Sequence, residues 1–124
     1  MIVGVGIDII EVDRVGEKIY NGNGFLEKVF SPGEISFCES KANKLEHYAA
    51  RFAAKEAFLK AIGSGLTVSY ELHEIEVVSD ALGKPSIDLK GNFLTLANEK
   101  NWNKIYLSLS HVRAMACAVV ILEQ

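Results

Sequence analysis

Three residues of this 124-residue chain have types and spacing that suit phosphoryl chemistry: Asp8, Glu56 and Lys60. Asp8 interrupts an apolar run, Ile2 to Ile10, on the same strand face as Gly4 and Gly6. An acid in such a run is costly to bury unless it is paired or holds a metal. Glycine within a strand often marks close approach of a backbone or a ligand. Glu56 and Lys60 stand one turn apart on the strongest helical stretch, His47 to Ile62. That helix is apolar almost all round and is expected to be buried, which puts Glu56 and Lys60 inside the protein or at a crevice. Two carboxylates suit Mg²⁺, which takes one or two of them and fills its remaining positions with substrate phosphates and water. Lys60 would add positive charge for the same phosphates. The bland alternatives are a strand-end aspartate capped by backbone N–H groups and a Glu–Lys helix pair worth about 0.2–0.5 kcal/mol.

Other residues carry weaker signals. Gly63-Ser64-Gly65 follows the helix and could let a ligand approach the backbone, but it is not a phosphate-binding loop of the GxxxxGK[ST] type. His111 ends a strand and could donate to a phosphate or move a proton, although a lone histidine is more often structural. Ser110 beside it is no nucleophile signal, because neighbours on a strand face opposite sides, and no GxSxG elbow is present. The stretch Lys41 to Lys60 holds five positive residues against two negative ones, while Asp8, Glu11 and Asp13 open the chain with acid. That unevenness suits a phosphate ligand held through a divalent cation, or simply a solvated helix face.

Composition sets the frame for these residues. The chain is 49% apolar and 23% charged with a net charge of −3, which argues against disorder and against a general nucleic-acid binder. No apolar run approaches the roughly 20 residues of a membrane helix, and the apolar start lacks a signal peptide's basic flank. A cytoplasmic protein is expected. Cys38 and Cys117 lack metal-type spacing and are expected to be buried free thiols. Area scaling gives roughly 6,500 Å² of surface folded against about 20,000 Å² unfolded, enough burial for one core and one domain, residues 1–124.

The elements expected to position the site follow from pattern. Residues 1–10 predict a strand with Val3, Val5, Ile7 and Ile9 on one face. Glu11 to Tyr20 is weakly helical and meets the turn cluster Asn21 to Gly24. Ser31-Pro32-Gly33-Glu34 predicts a capped helix start, with the helix running to about Ser40. The helix His47–Ile62 stops at Gly63. Glu74–Ser79, Ser86–Lys90, Ile105–Ser110 and Arg113–Leu122 predict strands, with Gly83-Lys84-Pro85 turning a hairpin between the first two, and Gly91–Lys100 predicts a helix. The expectation is an α+β domain with a mostly antiparallel sheet packed against a long central helix.

Four blocks of the sequence resemble a known family. They are Gly6 to Arg14, the Arg51-Phe52-Ala53-Ala54-Lys55-Glu56-Ala57-Phe58-Leu59-Lys60-Ala61 run, Gly83-Lys84-Pro85, and Leu109-Ser110-His111. In order and spacing they resemble the holo-acyl-carrier-protein synthases, the small single-domain 4′-phosphopantetheinyl transferases, over nearly the whole chain. The resemblance implies that Asp8 and Glu56 bind Mg²⁺ beside the coenzyme A pyrophosphate, with Lys60 on a phosphate. It implies that Arg51, Gly63, Gly65, Lys84, Pro85, Ser110 and His111 line the coenzyme A site. It implies that Arg14, with Lys18, meets an acidic acyl carrier protein. It further implies a homotrimer with sites at subunit interfaces, acting in fatty acid biosynthesis, with neither nucleic acid nor membrane as a partner. Two departures stand out: Val112 follows His111 where the family often has a small hydroxyl residue, and the first helix carries only Arg14 and Lys18 as positive residues.

The activity implied is transfer of 4′-phosphopantetheine from coenzyme A to a carrier serine, releasing 3′,5′-adenosine bisphosphate. The proton acceptor is left open between Glu56 and a metal-bound water. A non-catalytic coenzyme A-binding module and a metal-dependent phosphohydrolase remain as alternatives, since each needs only part of the same residue set.

Overall fold

The computed structural model describes residues 1–63 and 71–124. The chain runs β1 (Ile2–Glu11), α1 (Val12–Tyr20), α2 (Phe25–Val29), α3 (Pro32–Glu39) and α4 (Lys44–Ile62). After a short 3₁₀ turn at Leu72–Glu74 come β2 (Ile75–Ser79), β3 (Pro85–Leu89), α5 (Gly91–Lys100), β4 (Lys104–His111) and β5 (Met115–Glu123). The fold is α+β. The antiparallel strands form two sheets, β1-β5-β4 and the hairpin β2-β3, in place of the single sheet expected.

α4 is the central helix, and β1 lies on it with almost no space between. A Cβ placed on Gly4 would stand 2.0 Å from the Ala61 carbonyl oxygen, and one on Gly6 would stand 1.8 Å from that of Ala57. The two glycines therefore admit a backbone, not a ligand. They set strand against helix, main chain to main chain, immediately before Asp8. α4 also belongs to both halves of the core. Ala53, Ala57 and Phe58 pack with Ile75, Phe93 and Val120, whereas Tyr48, Ala49 and Phe52 pack with Val15, Phe30 and Cys38.

α3 starts as its sequence demands. Ser31 Oγ accepts from Glu34 N at 3.1 Å, and Glu34 Oε1 accepts from Ser31 N at 2.9 Å, a reciprocal cap. Glu34 has a second task that local pattern does not reveal. Its carboxylate accepts from the fully buried Lys55 Nζ at 2.8 Å and from Val77 N at 2.8 Å, joining α3, α4 and β2. Lys55 Nζ also donates to the Leu72 and Ile75 carbonyls, so every proton of the ammonium has an acceptor.

Among the described residues nothing covers the outer face of the three-stranded sheet. Val5, Ile7 and Ile9 are 61–66% exposed, beside Met115, Cys117, Val119 and Ile121 of β5 and Tyr106 of β4. Cys38 is buried and Cys117 only half-buried on this face; both are free thiols. Among the described residues no helix is long and apolar enough to cross a membrane.

Candidate active site

β1 and α4 bring Asp8 and Glu56 together in a cleft of about 490 Å³, with Arg14 and Lys18 of α1 and Phe52 also in its wall. Alternation along β1 sends Ile7 and Ile9 outward and Asp8 toward the helix. Lys60 Nζ donates to Asp8 Oδ1 at 3.1 Å and to the Ile7 carbonyl at 3.0 Å, while its side chain stays 57% exposed. Burial raises the Glu56 carboxyl above its usual value of 4.5, and the neighbouring Asp8 charge raises it further, against the lowering pull of Lys18 and Lys60. Two hard carboxylates that repel one another are the donor chemistry that a divalent cation relieves. Among the described residues no cluster of three or more histidine, cysteine or acidic side chains could hold a metal, so water and substrate oxygens would complete the shell.

A second cluster lies on a different side of α4. Arg51 and Glu56 are five residues apart, about 140° around the helix. Arg51 is only 3% exposed, its guanidinium carbon sits 4.1 Å from the Phe37 ring centre, and its Nε has no hydrogen-bond partner among the described residues. A buried guanidinium nitrogen left without an acceptor is costly unless an anion or a water completes it. Arg51, Phe37, His47, Gly83, Pro85 and His111 line a cavity of about 200 Å³. Burial holds the His47 ring below its usual value of 6.5, and His111, Arg51 and Lys41 push it further down against the raising pull of Glu46, which favours the neutral ring at pH 7. Cys38, against the same guanidinium, is pushed up to about 12 by burial and is a packing residue.

The expected site residues therefore divide. Asp8, Glu56, Lys60, Arg14 and Lys18 meet on the β1 side of α4, with Gly63 capping the helix at φ 95°. Arg51, Pro85 and His111 meet on the other side, and Lys84 lies on the exposed turn before Pro85. β4 and β1 are opposite edges of the sheet with β5 between them, about 10 Å apart by strand spacing. Ser110 joins neither group; it faces outward opposite Cys117 on the uncovered sheet face. Gly65 lies outside the described residues. Phe37, Glu46 and His47 carried no sequence signal for this second cluster, because their contacts to Arg51 and His111 span up to 65 residues.

With this geometry in place, comparison with known proteins decides the family. A model of the 4′-phosphopantetheinyl transferase superfamily matches residues 4–120. A holo-[acyl-carrier-protein] synthase of Geobacter sulfurreducens is 47% identical over 125 aligned residues, covering 100% of this chain and 99% of that one. The chain belongs to the holo-acyl-carrier-protein synthases. The crystal structure of the Neisseria meningitidis holo-[acyl-carrier-protein] synthase superposes with a TM-score of 0.89 at 30% identity, over 100% of both chains. The Bacillus anthracis synthase, solved in complex with coenzyme A (3′,5′-ADP), superposes with a TM-score of 0.79 at 34% identity, over 98% of this chain and 96% of that one. The fold, the enzyme class and the family expected from the four sequence blocks all stand. As a synthase of this family the chain is a 4′-phosphopantetheinyl transferase.

Proposed function

We propose that the chain carries out this transfer at a Mg²⁺-dependent site built on Asp8 and Glu56, with coenzyme A as donor and an acyl carrier protein of fatty acid biosynthesis as acceptor, in the cytoplasm. The observation that carries the reading is the convergence of both carboxylates, Lys60, Arg14 and Lys18 on one cleft. Asp8 and Glu56 would hold Mg²⁺, which would supply positive charge to the diphosphate oxygens.

The chain's own residues supply the rest. The carrier serine oxygen forms a bond to the β-phosphorus, the bond from that phosphorus to the bridging oxygen breaks, and 3′,5′-adenosine bisphosphate leaves. The serine proton passes to the ionised Glu56 carboxylate, made more basic by burial and by the Asp8 charge, or to a water in the cleft. Lys60, largely exposed, moves from Asp8 to a phosphoryl oxygen once ligand arrives. Arg51, with its unpaired nitrogen, and His111 hold coenzyme A from the second cavity. Arg14 and Lys18 face the acidic carrier, the ammonium of Lys18 lying 5.4 Å from the Phe52 ring centre.

The two half-sites and the bare apolar sheet face support one further element. A homotrimer that buries the outer face of β1 and β5 brings the Arg51 cavity of one copy to the Asp8–Glu56 cleft of the next. An uncovered apolar surface of this extent marks an interface.

The test is the intact mass of an apo acyl carrier protein after incubation with the enzyme, coenzyme A and Mg²⁺, against a metal-free control. A gain of one phosphopantetheine only with metal is expected. No gain on a folded carrier, with coenzyme A still bound in calorimetry, would favour the binding-module reading. Coenzyme A cleaved without carrier would favour the hydrolase.

A further inference from the structure

The last residue of β4 is tied to the first turn of α4 by a side-chain pair. His111 Nδ1 lies 2.8 Å from Glu46 Oε1, across 65 residues, with both side chains about three-quarters buried. A carboxylate only accepts, so the proton of this bond sits on Nδ1. The other ring nitrogen, Nε2, has no partner among the described residues. On its flank the His47 ring meets the His111 ring edge-on, with centres 5.2 Å apart, and Phe37 meets His47 at 5.6 Å. The imidazole is thus held through one nitrogen, braced on one face, and set in the wall of the cavity that also receives Arg51.

We propose that Glu46 is a positioning residue for coenzyme A binding: by accepting from Nδ1–H of His111 it fixes the ring's angle, so that in the protonated ring Nε2–H is aimed at a phosphoryl oxygen of coenzyme A beside Arg51. This rests on the transferase reading given above. Carboxylates that orient a functional histidine through its second nitrogen do so in metal sites and in acid–base catalysis alike. His47 serves as a neutral aromatic shelf for the ring and carries no charge itself. Glu46 does not touch substrate; its effect passes through His111.

The experiment is a double-mutant cycle on the purified full chain with an apo acyl carrier protein, preceded by wild-type turnover and coenzyme A titration. Wild-type failure in those two assays would defeat the transferase reading, not this proposal. Glu46→Ala is expected to raise KM for coenzyme A, and its calorimetric Kd, by about tenfold, with kcat and the carrier KM near wild type, as loss of uniform binding requires. Glu46→Gln keeps an acceptor oxygen and is expected to recover most of that loss. In a His111→Ala background, Glu46→Ala is expected to add nothing. An unchanged Kd in Glu46→Ala, or an equal loss in the His111→Ala background, overturns the proposal. A third readout needs no mutant. Nitrogen-15 NMR of His111 in the coenzyme A complex should show protons on both Nδ1 and Nε2, and a bare lone pair on Nε2 in that complex also overturns it.

Discussion

Glu56 holds a poor position for the folded chain and, on the function proposed above, a useful one for the reaction. Its carboxyl is half-buried beside Asp8, and both burial and that charge favour its protonated form. Its folded value lies above the unfolded 4.5, so the group contributes stability below about 4.5 that is lost as pH rises through the folded value. Metal affinity runs the opposite way, since a ligand carboxylate must be ionised. Glu56→Gln should therefore raise the metal-free melting temperature near pH 7 by a few degrees. Water screens this half-exposed site, so the gain stays under about 1 kcal/mol. The difference should vanish as pH falls through 4.5, while turnover with Mg²⁺ drops by at least about 100-fold. Melting curves across pH, without metal, check the first half. A variant no more stable than wild type at pH 7 would contradict the repulsion.

Between residue and molecule stand the contacts that aim α4. Gly6→Ala would drive a methyl into the Ala57 carbonyl, so strand and helix must separate and Asp8 must withdraw from Glu56. A loss of at least about 2–3 kcal/mol in chemical denaturation is expected. Lys55→Met would leave Glu34 buried with no cation, at a cost of about 3–5 kcal/mol, and pairing it with Glu34→Gln should recover part of that. These two sites also mark how far the sequence could be read. The cap at Ser31–Glu34, the helix Gly91–Lys100 and the stop at Gly63 rest on neighbours in the chain, and all three were legible. α2 was not, because five residues between glycine turns show no period. α4 begins at Lys44, a turn before the expected His47, because Leu45 packs on Gly16 and Asn43 supplies no side-chain cap. The Glu34–Lys55 and Glu46–His111 pairs join residues far apart in sequence and leave no local signature. Asp8, Glu56 and Lys60 were legible because charge inside apolar pattern is conspicuous. The glycines beside Asp8 signalled close approach correctly, but only the fold could say that the approaching group was helix backbone.

On the scale of the whole molecule, the bare face of β1 and β5 predicts dependence on assembly. Val5 is 61% exposed and pairs across the sheet with Ile121, so Val5→Lys should leave the protomer folded while preventing association. Light scattering should then give a monomer with unchanged circular dichroism and turnover near background; an active monomer would count against shared sites. The strongest consequence lies in α4, which carries Glu56 toward one cavity and Arg51 toward another. If each reaction centre draws one wall from each of two copies, the chain has two separable ways to be inactive, and they need not be cured in the same polypeptide. Glu56→Gln and Arg51→Ala proteins, each dead alone, should complement when unfolded together and refolded as a mixture. Random assembly should restore about a quarter of the centres. Two defects in one chain would then weigh differently from the same two defects in neighbours, so dominance and rescue among variants of this enzyme would follow which side of one helix they strike.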